Sequence, residues 1–367
     1  MRQCARLIAV SGLGPKEPAA FVVEAAGRRL LLDCGEGPEP GRLPDFETIG
    51  KVDAVILSHS HNDHAAALRF QDRIGRPPVF ATEPVLKLVS ARFAADIAKH
   101  TIPIWGLTEV LGIEIATGSN GHAPGGVWLR LAVGEGLLYM GDHSTESLLY
   151  AFDPPPPTPT MILDGSYGDA EARQDGQRQA LAALAARGPT LFPVPADGRG
   201  PDIAMFLQEA GFDVAIDDAV RSAAMVLTQS GRASALADAI PRLERLAKDA
   251  RPLDANAGAK GVMVAHGGAA DAGVAGALAR RWQDERDPMI VFTGHLAAGT
   301  TGRRLVDAGR ALFQRWNVHP TFPDNLALIA SVDPKRVMPA FGDLKYLPLW
   351  RARVAPRELV ASPTMSL

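Results

Sequence analysis

The stretch "LSHSHNDHAAAL", Leu57–Leu68, places three of the chain's nine histidines and one aspartate within six consecutive positions, directly behind the apolar run "VDAVI". A strand-end turn needs no imidazole, and a helix start needs one capping oxygen rather than a cluster of titratable rings. With one residue between them, His59 and His61 can aim two imidazoles at one ion from a tight loop. Asp63 and His64 project from the first turn of the following helix toward a neighbouring position. HxHxDH behind a hydrophobic strand therefore reads as a two-position metal site.

Such a site needs more ligands, because a catalytic zinc usually holds about three protein ligands plus water. In chain order, His122 sits in the tight "GHAPGG" turn, and Asp142 closes the strand "LLYMGD". A carboxylate there can serve two ions, one with each oxygen. Asp33, in "LLLDCGEG", is a suitable acid to orient a ligating histidine through its other ring nitrogen.

Outward from the cluster, the runs "RLIAV", "AFVVEA", "RRLLLD" and "VDAVILS" predict strands joined by Gly-, Pro- and Asp-rich turns. The spacing of "PVLKLVSARFAADIAK" predicts a helix, and "EVLGIEIAT", "GVWLRLAV" and "GLLYMGD" read as further strands. The stiff "DPPPPTPT" (Asp153–Thr160) reads as a surface connection before the strand "MILDG". From about Asp169 to Asp287, Ala-rich helical patterns, including one continuous reading through "AVRSAAMVLTQSGRASALADAIPRLERLAKDA", alternate with the short strands "TLFPVP" and "GVMVAHGG". That alternation predicts an α/β unit with a parallel sheet. "NLALIASV" and "KRVMPAFGD" then read as a helix and a strand returning to the first domain.

A length of 367 residues with 47% hydrophobic and 22% charged residues fits a globular protein with a sizeable core and excludes a disordered or fibrous class. The net charge of −3 leaves no overall electrostatic footprint for nucleic acid, so such a contact needs a local patch. The two cysteines, Cys4 and Cys34, predict no disulfide framework and fit a reducing cytoplasm. The N-terminal apolar run is too short for a signal peptide, and no stretch reaches the roughly 18 apolar residues of a membrane span.

Taken in order, Asp33, His59-His61-Asp63-His64, His122 and Asp142 resemble the motifs of the metallo-β-lactamase fold. The later segments "LDGSYGD", "FPVPADGRGPDIAMFL" and "VFTGHLAAGTTGRRL" are similar to those of its β-CASP branch, which includes mRNA 3′-end cleavage factors and J-type ribonucleases. The resemblance implies an αββα sandwich, residues 1–165 and 290–367, interrupted by an inserted α/β β-CASP domain at 166–289. It implies a zinc-dependent phosphodiesterase, with manganese as an alternative ion, that cleaves RNA or single-stranded DNA with metal-activated water. His59, His61, Asp63, His64, His122 and Asp142 are the implied ligands, Asp63 also counting as catalytic. His319, in "WNVHPTF", is the implied general acid, paired with Asp164.

The chain departs from the family pattern at His295, where a tyrosine is usual, at "AHGGAADAG", where a "GM" turn is usual, and at one metal-ligand position. Where the family has a metal-binding histidine in "HGE", this chain has "MPAFGD", with Phe341 in place of the ligand. Phenylalanine cannot bind zinc, so the expectation is one tight ion and a second that is weaker or absent. His143, next to Asp142, reads as structural because neighbouring strand residues point to opposite faces; His100 and His266 read as surface or packing residues. Arg199, His295 and Arg303, with Arg304, are candidate phosphate contacts. Two other classes stay open at this point: a hydrolase of a small-molecule ester, amide or cyclic phosphodiester, and a catalytically silent subunit. An oligomer is compatible with all three.

Overall fold

The computed structural model describes residues 5–15, 17–37, 39, 41–229 and 235–367, which divide into two compact units. One runs through Thr145 and takes in Tyr150–Glu171 and His319–Leu367; the other comprises Glu146–Leu149 and Ala172–Val318.

The first unit holds two seven-stranded sheets. In one the order is Thr364–Ser366, Arg6–Ser11, Ala20–Ala25, Arg28–Leu32, Ala54–Ile56, Val79–Ala81 and Lys99–Thr101. In the other it is Glu358–Leu359, Arg336–Ala340, Thr160–Asp164, Leu137–Tyr139, Val127–Leu131, Ile113–Ser119 and Gly106–Val110. The strand "AFVVEA" shows why such runs are apolar on both faces up to Glu24: Phe21 and Val23 face the space between the sheets, while Ala20 and Val22 face the helical layer behind. Between the sheets, Leu7, Phe21 and Ile56 meet Ile115, Tyr139, Ile162 and Met338. The 3-10 segment Ala66–Ile74 and the helix Glu83–Arg92 cover the outer face of the first sheet, and helices Phe322–Val332 and Leu347–Val354 cover that of the second. The layers are helix, sheet, sheet, helix, the αββα sandwich. "NLALIASV" and "RVMPA" supply a helix and a strand of this unit.

The second unit is built on a six-stranded sheet, parallel throughout, in the order Arg251–Pro252, Val214–Ile216, Val262–His266, Thr190–Val194, Met289–Phe292 and Leu312–Phe313. Parallel neighbours need crossovers, which the Ala-rich helices supply.

Several expectations are corrected. The boundary at 289 falls inside the α/β unit: Met289–Phe292 pairs with Thr190 and Leu191, and the chain returns to the sandwich only at His319. The helix read through "PVLKLVSARFAADIAK" ends at Arg92, and Lys99 begins a strand. "EVLGIEIAT" is a hairpin turning at Leu111 and Gly112, both with positive φ. The long Ala-rich pattern is two helices, Asp218–Gln229 and Ala239–Asp249. Cys4 lies outside the described residues; Cys34 is a free buried thiol, which burial pushes up to about 12.

Candidate metal centre

The histidine cluster leaves the strand Ala54–Ile56 as a loop, and His61 caps the one-turn helix Asn62–Ala65. Its backbone is tied to neighbouring loops: Ala19 N–H donates to Asp63 O (2.7 Å), Cys34 N–H to His64 O (2.8 Å) and Glu36 N–H to Asn62 O (2.9 Å). This approach requires a glycine. A Cβ on Gly35 would lie 1.7 Å from the Asp63 carbonyl oxygen, which is why "DCGEG" follows the third strand.

Three sets of potential ligand atoms share one carboxylate, that of Asp142; one of them joins it to Asp164 and His319, and the other two are built on the histidine cluster. His59, His61, His122 and Asp142 form one set and Asp63, His64 and Asp142 the other, the atoms of each lying within 4.8 Å of one another. Asp142 Oδ2 is 3.5 Å from His122 Nε2 and 3.9 Å from His59 Nε2, while Oδ1 is 3.2 Å from His64 Nε2. The two oxygens of Asp142 thus face different sets. His122 Nε2 is 3.0 Å from His61 Nδ1.

Asp33 sets the protonation pattern of two of these rings. Its carboxylate is fully buried and accepts from Ser58 N–H and Ser58 Oγ–H (both 2.7 Å), from Tyr139 O–H (2.6 Å) and from His64 Nδ1–H (2.7 Å). Because Ser58 Oγ gives its proton to Asp33, it can only accept from His59 Nδ1, 3.0 Å away. Both Nδ1 atoms therefore carry the proton, and both Nε2 lone pairs are turned toward the ligand sets. His59 Nε2 is fully buried with no hydrogen-bond partner. An orphaned lone pair at that depth is costly in a protein interior unless a ligand takes it, so the donor set fits a divalent metal ion. Burial and the neighbouring imidazoles hold the His59 ring well below the ordinary histidine range. Burial acts the same way on His64, but Asp142 and Asp33 outweigh it and hold that ring well above the range, so a metal ion taken up there displaces a proton from Nε2.

Beside the shared carboxylate lies a second pair. His319 Nδ1 is 2.7 Å from Asp164 Oδ2, at the end of the strand Thr160–Asp164, and 3.7 Å from Asp142 Oδ2. Asp164 is fully buried, its Oδ1 accepts from Ser166 N–H, and its carbonyl accepts from Asn325 Nδ2, which ties the pair to the helix Phe322–Val332. Burial opposes ionisation of Asp164, but His319 outweighs it and keeps the carboxyl below its ordinary value. Phe341 is buried with its ring centroid 5.2 Å from that of His64. His143 is buried against Phe152, and burial pushes it down to about 4. His100 stacks on Phe80, while His266 is exposed.

In the α/β unit, Arg199 opens the helix Arg199–Glu209 and packs against Gly294, where a Cβ would lie 1.9 Å from its guanidinium. His295 follows that glycine, beyond the neighbouring parallel strand. Arg303 is exposed and paired with Asp307 at 2.9 Å.

A model of the metallo-beta-lactamase superfamily matches residues 13–186, the span that carries every ligand of both sets. The match covers just under half of the chain and reaches from the sandwich into the first helix of the α/β unit. The chain is 31% identical over 226 residues to ribonuclease TTHA0252 of Thermus thermophilus, covering 53% of this chain and 52% of that one. It is 23% identical over 375 residues to transcription termination factor FttA of Cenarchaeum symbiosum, covering 83% and 57%. It is 26% identical over 250 residues to endoribonuclease YSH1 of Kluyveromyces lactis, covering 56% and 33%. The chain thus spans between about a third and three fifths of these relatives' lengths. A crystal structure of a protein of unknown function from Enterococcus faecalis shares the fold, with a TM-score of 0.63, 13% identity and coverage of 99% and 100%. The β-CASP resemblance of the later motifs agrees with these relatives.

Four residues that position the side chains of the two candidate ligand sets were not singled out from sequence: Gly35, Ser58, Tyr139 and Gly141. A Cβ on Gly141 would lie 2.6 Å from Ser58 Oγ, so this glycine before Asp142 leaves room for the hydroxyl that orients His59. The serine and the tyrosine carry no local signature. Glycines beside the motif aspartates were the available signal.

Proposed function

We propose that this chain is a metal-dependent phosphodiesterase that cleaves RNA or single-stranded DNA. The observation that carries the reading is the Asp164–His319 pair set against a carboxylate shared by two ligand sets. Zinc suits the three-histidine set. Divalent ions held there would supply Lewis acidity and water activation at neutral pH. The residues do the rest. Asp142 and Asp63 fix the ligand geometry, and Asp33 holds the His59 and His64 tautomers. His319 keeps Nδ1 on Asp164, leaving Nε2 as the atom that gives a proton to the departing oxygen.

The α/β unit, residues 172–318, is read as the inserted β-CASP domain, with Arg199, His295 and Arg303 as its candidate phosphate contacts. Ribonuclease and endoribonuclease relatives support RNA as the substrate. A cytoplasmic location suits that role, and among the described residues no helix is long and apolar enough to cross a membrane.

The test is a panel of end-labelled RNA and single-stranded DNA oligonucleotides beside a small-molecule ester and a cyclic dinucleotide. Cleavage of RNA or single-stranded DNA is expected. Turnover of only the small molecules, or of nothing in metal-replete protein, would overturn the reading.

A further inference from the structure

The two ligand sets differ in chemistry. Three imidazoles and one carboxylate oxygen make up the set of His59, His61, His122 and Asp142, whereas Asp63, His64 and the other oxygen of Asp142 offer two carboxylates and one imidazole. Imidazole-rich sites suit zinc, and carboxylate- and water-rich sites suit manganese and magnesium. The surroundings reinforce the difference. Phe341 presents its ring toward His64, contacts Phe21, and is anchored by its own N–H donating to Gly12 O (2.7 Å). Its φ of +62° is rare for a bulky residue, which marks a position held by its surroundings. The second set is therefore bounded beside His64 by a carbon ring, and among the described residues its ligand-type atoms are those of Asp63, His64 and Asp142.

We infer that the centre is built for two unlike ions: a tightly held zinc in the three-histidine set, and a hard, exchangeable divalent cation of the manganese type on Asp63, His64 and Asp142. This deepens the metal-dependent reading above, on which it rests. Occupancy of the second position then follows the free concentration of the hard ion, which makes that position the adjustable half of the centre.

The experiment uses the full chain, stripped and reloaded with one equivalent of zinc, then titrated with Mn2+ while the electron paramagnetic resonance of free aqueous manganese is followed. One Mn2+ per chain should bind without displacing zinc, and Asp63→Asn should weaken that binding at least tenfold. Phe341→His, checked for folding by circular dichroism, should tighten a second zinc at least tenfold and reduce manganese uptake. Two zincs of equal affinity in the wild type, or no manganese bound to the one-zinc protein, would overturn the inference. So would a folded Phe341→His variant with unchanged second-zinc affinity. The readout is binding, so manganese uptake without nucleic-acid cleavage would uphold this inference while defeating the proposed function.

Discussion

Replacing Asp33 with asparagine separates its orienting role from mere filling of space. The carboxylate accepts from four buried donors at 2.6 to 2.7 Å, three of them, Ser58 Oγ, His64 Nδ1 and Tyr139 Oη, on Oδ2 and the Ser58 amide on Oδ1. An amide has one oxygen. Placed at Oδ2 it keeps three donors but turns its own NH2 against the Ser58 N–H; reversed, it loses three. The cheaper arrangement leaves one buried N–H unsatisfied at about 1–3 kcal/mol and weakens the remaining bonds by removing the charge, so the total should be about 2–4 kcal/mol. The same change removes the charge that holds the Ser58 Oγ–H and His64 Nδ1–H bonds, loosening the hold on both tautomers, and loss of such partners typically weakens metal binding about 10–100-fold. Urea unfolding of the metal-free protein measures the first effect, and zinc competition against a chromophoric chelator the second. A folded variant with unchanged midpoint and unchanged zinc affinity would refute the tautomer argument.

His319→Ala should leave metal content unchanged and slow cleavage by roughly 10²–10⁴-fold, with a smaller loss on a nitrophenyl phosphodiester, whose leaving group departs without a proton; loss of metal would instead make His319 a ligand. Gly35→Ala drives a methyl into the Asp63 carbonyl and should destabilise the sandwich by about 3 kcal/mol or more and lower zinc affinity, seen by calorimetry and chelator competition. Burial pushes the Asp202 carboxyl up to about 6 from 3.8, so the folded α/β unit binds this proton more tightly than the unfolded chain and loses stability as pH rises from 4 to 6, by about 3 kcal/mol at most. Asp202→Asn should therefore melt above the wild type at pH 7.5, with the gap closing toward pH 4; a gap independent of pH would contradict this.

The residues of the two candidate ligand sets were legible because four of them lie within six residues and the others, at a turn and a strand end, follow in the right order. Tyr139 was not, since it reaches Asp33 across 106 positions, and a tyrosine in an apolar strand looks like core until the sheets are stacked. The layers were readable from strand and helix periodicity, yet the strand "MIVF" could have joined either sheet. Only its pairing with Thr190 and Leu191 decides that it belongs to the α/β unit. The substitution at Phe341 could be read as a lost ligand, but its ring contact with His64 depends on a turn conformation that the residue's identity does not announce.

The central claim is tested most directly by the single-turnover rate of cleavage of an end-labelled RNA as zinc is restored to stripped protein, run beside Asp142→Ala. The wild type should recover cleavage with added metal ion while Asp142→Ala recovers none at any metal concentration. Cleavage by the stripped wild type, or equal cleavage by the variant, would contradict a reaction centred on the shared carboxylate.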